Sequence, residues 1–161
     1  MTETAEAATR LTGWPGKSPD DRGIAHPALY HMLDVAAVAE RLIAAEPFTA
    51  AMRDALVMLT ALHDLGKISD SFRAMLTTGA RQYARHWEMT EVLLYHHDGL
   101  LADLLGGTRS QRNRLYASVA GHHGRPPGLA DLQDWRLPDA VGAVGIADAA
   151  QAIRLVAGLW P

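Results

Sequence analysis

His63 and Asp64 stand side by side in the run His63-Asp64-Leu65-Gly66-Lys67, at the end of an apolar stretch. An imidazole next to a carboxylate is a candidate pair of metal ligands. Adjacent residues diverge by about 100° around a helix, so both can reach one ion only if it lies beside the helix wall between them, inside a bundle. The alternative is a surface pair near a helix end. Three further segments carry histidines: His31 in Tyr30-His31-Met32, His86 in Arg85-His86-Trp87, and the His122-His123 pair between Gly121 and Gly124. Together they offer five imidazoles and a carboxylate, enough donors for two ions.

A single buried histidine is ordinarily a neutral ring bonded to a backbone carbonyl, and taken singly His31 and His86 would be read so. The glycines around His122 and His123 leave the backbone free to aim both rings at a cleft. Asp148 lies within the apolar run Gly145-Ile146-Ala147-Asp148-Ala149-Ala150. A carboxylate there is costly unless it is paired or bound to a cation, so Asp148 is a candidate ligand, with an exposed helix face as the alternative. His96 and His97 are expected to be surface or supporting residues, because a continuous helix would put His97 roughly 16 Å from His86.

The chain has no cysteine, which removes thiolate ligands and nucleophiles and leaves imidazole and carboxylate. Such a set suits manganese, nickel, cobalt or iron, with magnesium possible but less favoured by so many imidazoles. The expectation is a two-metal centre bridged by Asp64, activating water and offsetting charge on a phosphate. Lys67 either adds positive charge to the transition state or forms a salt bridge with a nearby carboxylate. Asp34, one turn from His31, is a candidate to orient that ring.

These residues need helices to position them. Pro27 suits a first helical turn, and Leu29, Leu33, Ala36, Ala37, Val38 and Leu42 continue an apolar stripe towards Pro47. A second helix is expected from about Thr49 to Leu65, ended by Gly66 in a left-handed conformation. Ser69 or Asp70 could cap a short third one. Tyr83 to Leu105 reads as one or two helices closed by Gly106-Gly107, Ser110 to Ala120 as another, and Val141 to Leu159 as the last, after a proline-rich loop. No alternating strand pattern is present. The fold class is therefore all-α, a helical bundle with the metal site between helices.

With 161 residues, 48% of them hydrophobic, the chain can bury one substantial core, and one domain is expected: an N-terminal arm over residues 1–25 and a metal-binding domain over 26–161. No run approaches a membrane span, and a soluble, cytoplasmic protein is expected. The net charge of −3 speaks against an autonomous duplex-DNA binder, so a nucleic-acid substrate would be handed over by a partner. Arg109, Arg112 and Arg114 could guide a strand, though a solvated loop is their commoner role. The run Gly13-Trp14-Pro15-Gly16-Lys17-Ser18 does not make a phosphate loop, because Leu11 stands where its first glycine belongs.

His26-Pro27-Ala28-Leu29-Tyr30-His31-Met32-Leu33-Asp34-Val35-Ala36, His63-Asp64-Leu65-Gly66-Lys67, Arg85-His86 and Gly121-His122-His123-Gly124-Arg125-Pro126-Pro127, in this order, resemble the HD nuclease domain of the type I CRISPR helicase-nuclease. Trp14 to Ser18 is similar to a short element near that domain's start, and the resemblance spans roughly residues 14 to 127. It implies that His31, His63, Asp64, His86, His122 and His123 correspond to metal ligands and Lys67 to a basic residue facing the substrate phosphate. The family's closing aspartate commonly precedes a tryptophan, whereas Asp148 precedes Ala149. Either Asp148 fills that role in a shortened domain or the ligand is absent.

The activity implied is metal-dependent cutting of single-stranded DNA in CRISPR interference, with a helicase subunit or domain and a crRNA-guided surveillance complex as partners. Two other readings stand beside it. One is an HD phosphohydrolase acting on nucleotides or cyclic dinucleotides. The other is a catalytically incomplete HD domain that binds and regulates the interference machinery.

Overall fold

In the computed structural model, which describes residues 9–21, 23, 25–127 and 136–160, Pro27 stands one position before the first long helix, α1 (Ala28–Ile43). Its extended backbone, with φ −60° and ψ 144°, leads the chain into the helix. The helix buries Ala28, Leu29, Met32 and Ala36, a stripe at spacings of three to four residues. Val38 and Leu42, expected within that stripe, are 58% and 73% exposed. At about 100° per residue they lie well round the helix from Ala36 and face away from the bundle.

The Thr49 side chain caps α2 (Ala50–Ala61) by accepting from the Met52 N–H at 3.2 Å. The helix stops short of the expected Leu65. At Leu62 the chain tightens into a 3-10 turn, Leu62–Lys67, in which Asp64 departs from helical backbone with φ −110° and ψ 22°. Ser69 caps α3 (Asp70–Thr78), as expected, by accepting from the Phe72 N–H at 3.2 Å.

The long pattern that follows divides into α4 (His86–His96) and α5 (Asp98–Leu105), with His97 at the break. Thr108 and Gln111 form a capping box for α6 (Arg109–Ala120), which runs into a 3-10 turn, Gly121–His123. A short α7 (Leu137–Ala140) precedes α8 (Ala143–Leu159). The described residues contain no strand, only an isolated bridge between Pro15 and Pro27. The fold is all-α, with the histidine and aspartate cluster between helices. No helix is long and apolar enough to cross a membrane among the described residues. Most of the proline-rich loop, residues 128–135, lies outside them.

Gly66 has a different task from the one its position suggested. It is absent from the glycines with positive φ, and a Cβ on it would overlap the His86 carbonyl oxygen. Its missing side chain lets α4 press against the turn, where the Gly66 N–H donates to Thr90 Oγ1 at 2.8 Å. The apolar core runs between the helices and takes in Leu11 and Trp14 from the first described residues. On the α5–α6 side, Arg112 is buried and grips Asp98 with two bonds of 2.7 Å, while donating to the Gly106 and Gly107 carbonyls. Tyr116 donates to the same carboxylate at 2.8 Å. Arg112 is thus an internal clamp rather than a strand guide.

Candidate metal centre

The departure of Asp64 from helical geometry has a chemical consequence, because it turns a buried carboxylate into the space between four segments. Asp64 is 3% exposed. Its Oδ2 lies 3.1 Å from His31 Nε2, 3.2 Å from His63 Nε2 and 2.7 Å from Lys67 Nζ. Its Oδ1 lies 3.3 Å from His86 Nε2 and 3.4 Å from His122 Nε2. His123 joins on that side, its Nε2 being 3.0 Å from His86 Nε2. Two groups of donors result: His31, His63 and Asp64 in one, His86, His122 and His123 in the other, each tight enough to hold a metal ion.

Second hydrogen bonds orient two of the rings. His63 Nδ1 lies 2.9 Å from the Thr60 carbonyl and His122 Nδ1 3.1 Å from the Val119 carbonyl. A carbonyl only accepts, so each Nδ1 must carry the proton, and in the neutral ring Nε2 keeps its lone pair. That is how metal-binding histidines are usually prepared.

The fit to a cation can be tested on the atoms themselves. Asp64 Oδ1 is buried and has no hydrogen-bond partner among the described residues, while two imidazole nitrogens face it. His86 Nε2 and His123 Nε2 lie 3.0 Å apart, which makes a hydrogen bond when one of the two carries its proton there and an open place for a cation when neither does. Acceptor against acceptor is repulsive unless a proton or a metal ion lies between. The donor set therefore fits a divalent cation of the imidazole-binding kind.

Electrostatics point the same way. Burial disfavours the Asp64 carboxylate, but the polar imidazoles of His122, His63 and His86 around it outweigh that and hold the group far below the usual carboxylate range. The neighbouring Asp64 carboxylate raises His122 above its ordinary value, against burial. His31 is lowered, by burial and then by the Lys67 charge, and His123 by burial and then by His122 and His86. Protons and a metal ion compete for one place.

Lys67 forms the salt bridge that was the alternative to a phosphate-facing role, at Asp64 Oδ2. Asp148 is not brought to the cluster. Its carboxylate is fully buried, with Oδ1 2.7 Å from Arg10 Nε and Oδ2 2.9 Å from Trp14 Nε1. Those donors meet the cost of a carboxylate inside an apolar helix, which is the cost that suggested a ligand. Asp34 does not orient His31, since its Oδ2 lies 2.9 Å from His26 Nε2 at the surface. His97 Nε2 contacts the Ile146 carbonyl at 3.2 Å and His96 is exposed, so both stand outside the cluster.

One residue beside the cluster was not singled out from sequence. Trp87 lies with its ring centre 4.4 Å from that of His123 and 5.1 Å from that of His86. Only its adjacency to His86 in the chain could have signalled it.

A family model described as "Cas3, HD domain" matches residues 14–157. Comparison with curated proteins and with solved structures found no match.

Proposed function

The chain belongs to the Cas3 HD-domain family, and from that premise we propose that it is a metal-dependent nuclease cutting single-stranded DNA in CRISPR interference. The observation that carries the reading is the placement of Asp64, with one carboxylate oxygen towards each of two histidine groups. His31, His63 and Asp64 would hold one divalent ion, and His86, His122 and His123, with the other oxygen of Asp64, a second. Manganese, nickel, cobalt or iron suit these donors, and magnesium is possible. Bound there, the ions supply Lewis acidity, which activates water and offsets charge on the phosphate oxygens.

The protein's own residues do the rest. His63 and His122 present Nε2 because their Nδ1 protons are tied to backbone carbonyls. Asp64 is held ionised by its neighbours. Lys67 keeps a cation on Asp64 Oδ2 at 2.7 Å and would have to leave that salt bridge to pair with a phosphodiester oxygen. In the cytoplasm, a helicase subunit or domain and a crRNA-guided surveillance complex would deliver the strand. The test is cutting of circular single-stranded DNA by metal-free protein after add-back of manganese, nickel or magnesium. Cutting that needs the ion and is lost in Asp64→Ala is expected; no cutting with any ion would overturn the reading.

A second reading draws on Asp148. Engaged by Arg10 and Trp14, it leaves the cluster with a single carboxylate among the described residues, which favours a catalytically incomplete domain that binds and regulates the interference machinery. Retention of metal without cutting would select it.

A further inference from the structure

On its His123 side the cluster adjoins a cleft of about 270 Å³ whose walls include Arg85, Trp87, Glu88 and Arg125. Arg85 and Glu88 also line a hollow of about 490 Å³ that reaches Arg81 and Tyr83. Sharing Arg85 and Glu88 as walls, the two hollows lie side by side as a divided trough, the first part of which adjoins the metal centre.

Aromatic rings and guanidinium groups lie close together here. The Arg85 guanidinium lies 5.0 Å from the centre of the Trp87 ring, and that of Arg136 lies 5.8 Å from the centre of the Tyr83 ring. Trp87 in turn packs on His123, which ties this end of the trough to the cluster. Tyr83 is 48% exposed. Glu88 is the one carboxylate in the described walls, and its Oε2 accepts from the Arg85 backbone N–H at 2.7 Å, directing its charge to the start of α4.

We propose that this trough is a track for single-stranded nucleic acid, in which Trp87 and Tyr83 stack bases while Arg125, Arg85 and Arg81 pair with phosphates. Stacking faces spaced among cations are what sequence-tolerant strand binding uses. The overall acidity of the chain does not oppose it, because arginines from separate stretches of sequence gather along one trough. A lone nucleotide would need only the cleft beside His123. The continuation past Arg85 to Tyr83 suits a strand of several nucleotides. The inference rests on the nuclease reading above, and it adds where the strand runs.

The test is fluorescence anisotropy of labelled oligothymidylates, from a dinucleotide to a dodecamer, with the metal-free protein. Affinity is expected to rise with length beyond the dinucleotide. Trp87→Ala and Tyr83→Ala should each weaken binding by about five- to a hundredfold, and Trp87→Phe should recover most of it. Arg81→Ala and Arg125→Ala should each reduce the slope of log affinity against log salt by about 0.7. Arg154→Ala, at an exposed position of α8 outside the trough, should bind as the parent does. Absence of binding at low salt, affinity independent of length, or trough variants that bind like the parent would each overturn the track. Hydrolysis of bis(p-nitrophenyl) phosphate by the metal-loaded protein separates the two ideas, since so small a diester needs the metal centre and no track. If it is cleaved while the binding pattern fails, the track alone is wrong. If it is not cleaved while the binding pattern holds, the track stands and the nuclease reading falls.

Discussion

Trp14 donates its indole N–H to the Asp148 carboxylate across 2.9 Å, joining the start of the described chain to the middle of α8. The Arg73 guanidinium stacks 3.7 Å from the centre of the same indole, so the ring is held between α3 and α8. The Trp14 carbonyl meanwhile accepts from the Ala28 N–H that opens α1, at 2.8 Å. One residue thereby fastens three helices.

Trp14→Phe should keep the apolar packing and leave Asp148 without one of its donors, costing about 1–3 kcal/mol in urea unfolding. Asp148→Ala should lower stability in the same assay, because it leaves the Trp14 N–H buried and unpaired. Metal content, measured by inductively coupled plasma mass spectrometry, is expected to match the parent in both. A clear loss of metal in folded Asp148→Ala would return Asp148 to the ligand set.

The two donor groups should be separable. Asp64→Ala is expected to abolish metal retention, since the carboxylate faces both groups. His31→Ala and His123→Ala should each lose part of it, from different sides of Asp64. Equal and total loss in all three variants would point to a single shared ion.

Metal affinity should fall as pH falls. The neighbouring Asp64 carboxylate raises His122 above its ordinary 6.5, so as pH falls a proton competes with an incoming ion for this ring. Calorimetry in buffers of different ionisation enthalpy should detect proton release on metal binding, and less of it in His122→Gln. For the metal-free protein the linkage has two signs. The raised His122 contributes stability present below pH 6.5 and lost as pH rises through its folded value. The depressed Asp64 contributes stability present above about pH 3.8 and lost progressively at lower pH. Acid unfolding that is as steep in Asp64→Asn as in the parent would contradict the second statement.

Gly66→Ala should disturb both fold and site. The added methyl meets the backbone of His86 and Thr90, which cannot move aside as a flexible side chain can. Overpacking of this kind costs about 1–3 kcal/mol or more, and here it pushes on the helix turn that carries His86. A lower melting temperature together with weaker metal binding is expected; an unchanged protein would refute the close approach.

Sequence alone determined the helical class, the family and the residue types of the cluster, for a physical reason. Helical periodicity and capping are local, and His63-Asp64, Arg85-His86 and the glycine-flanked histidine pair are contiguous motifs that survive in any reading of the chain. Residues whose partners are distant in the chain were decided only by tertiary structure. Asp148 looks the same in sequence whether it meets a cation or an indole, and its partners lie 134 and 138 residues away. Arg112 resembled part of a solvated loop until Asp98, 14 residues earlier, was packed against it. Gly66 read as a helix terminator because the approach of α4 leaves no local trace. The setting of Asp64 between two histidine groups likewise arises from a kink and from four segments folding around it, and no spacing along one chain encodes a direction in space.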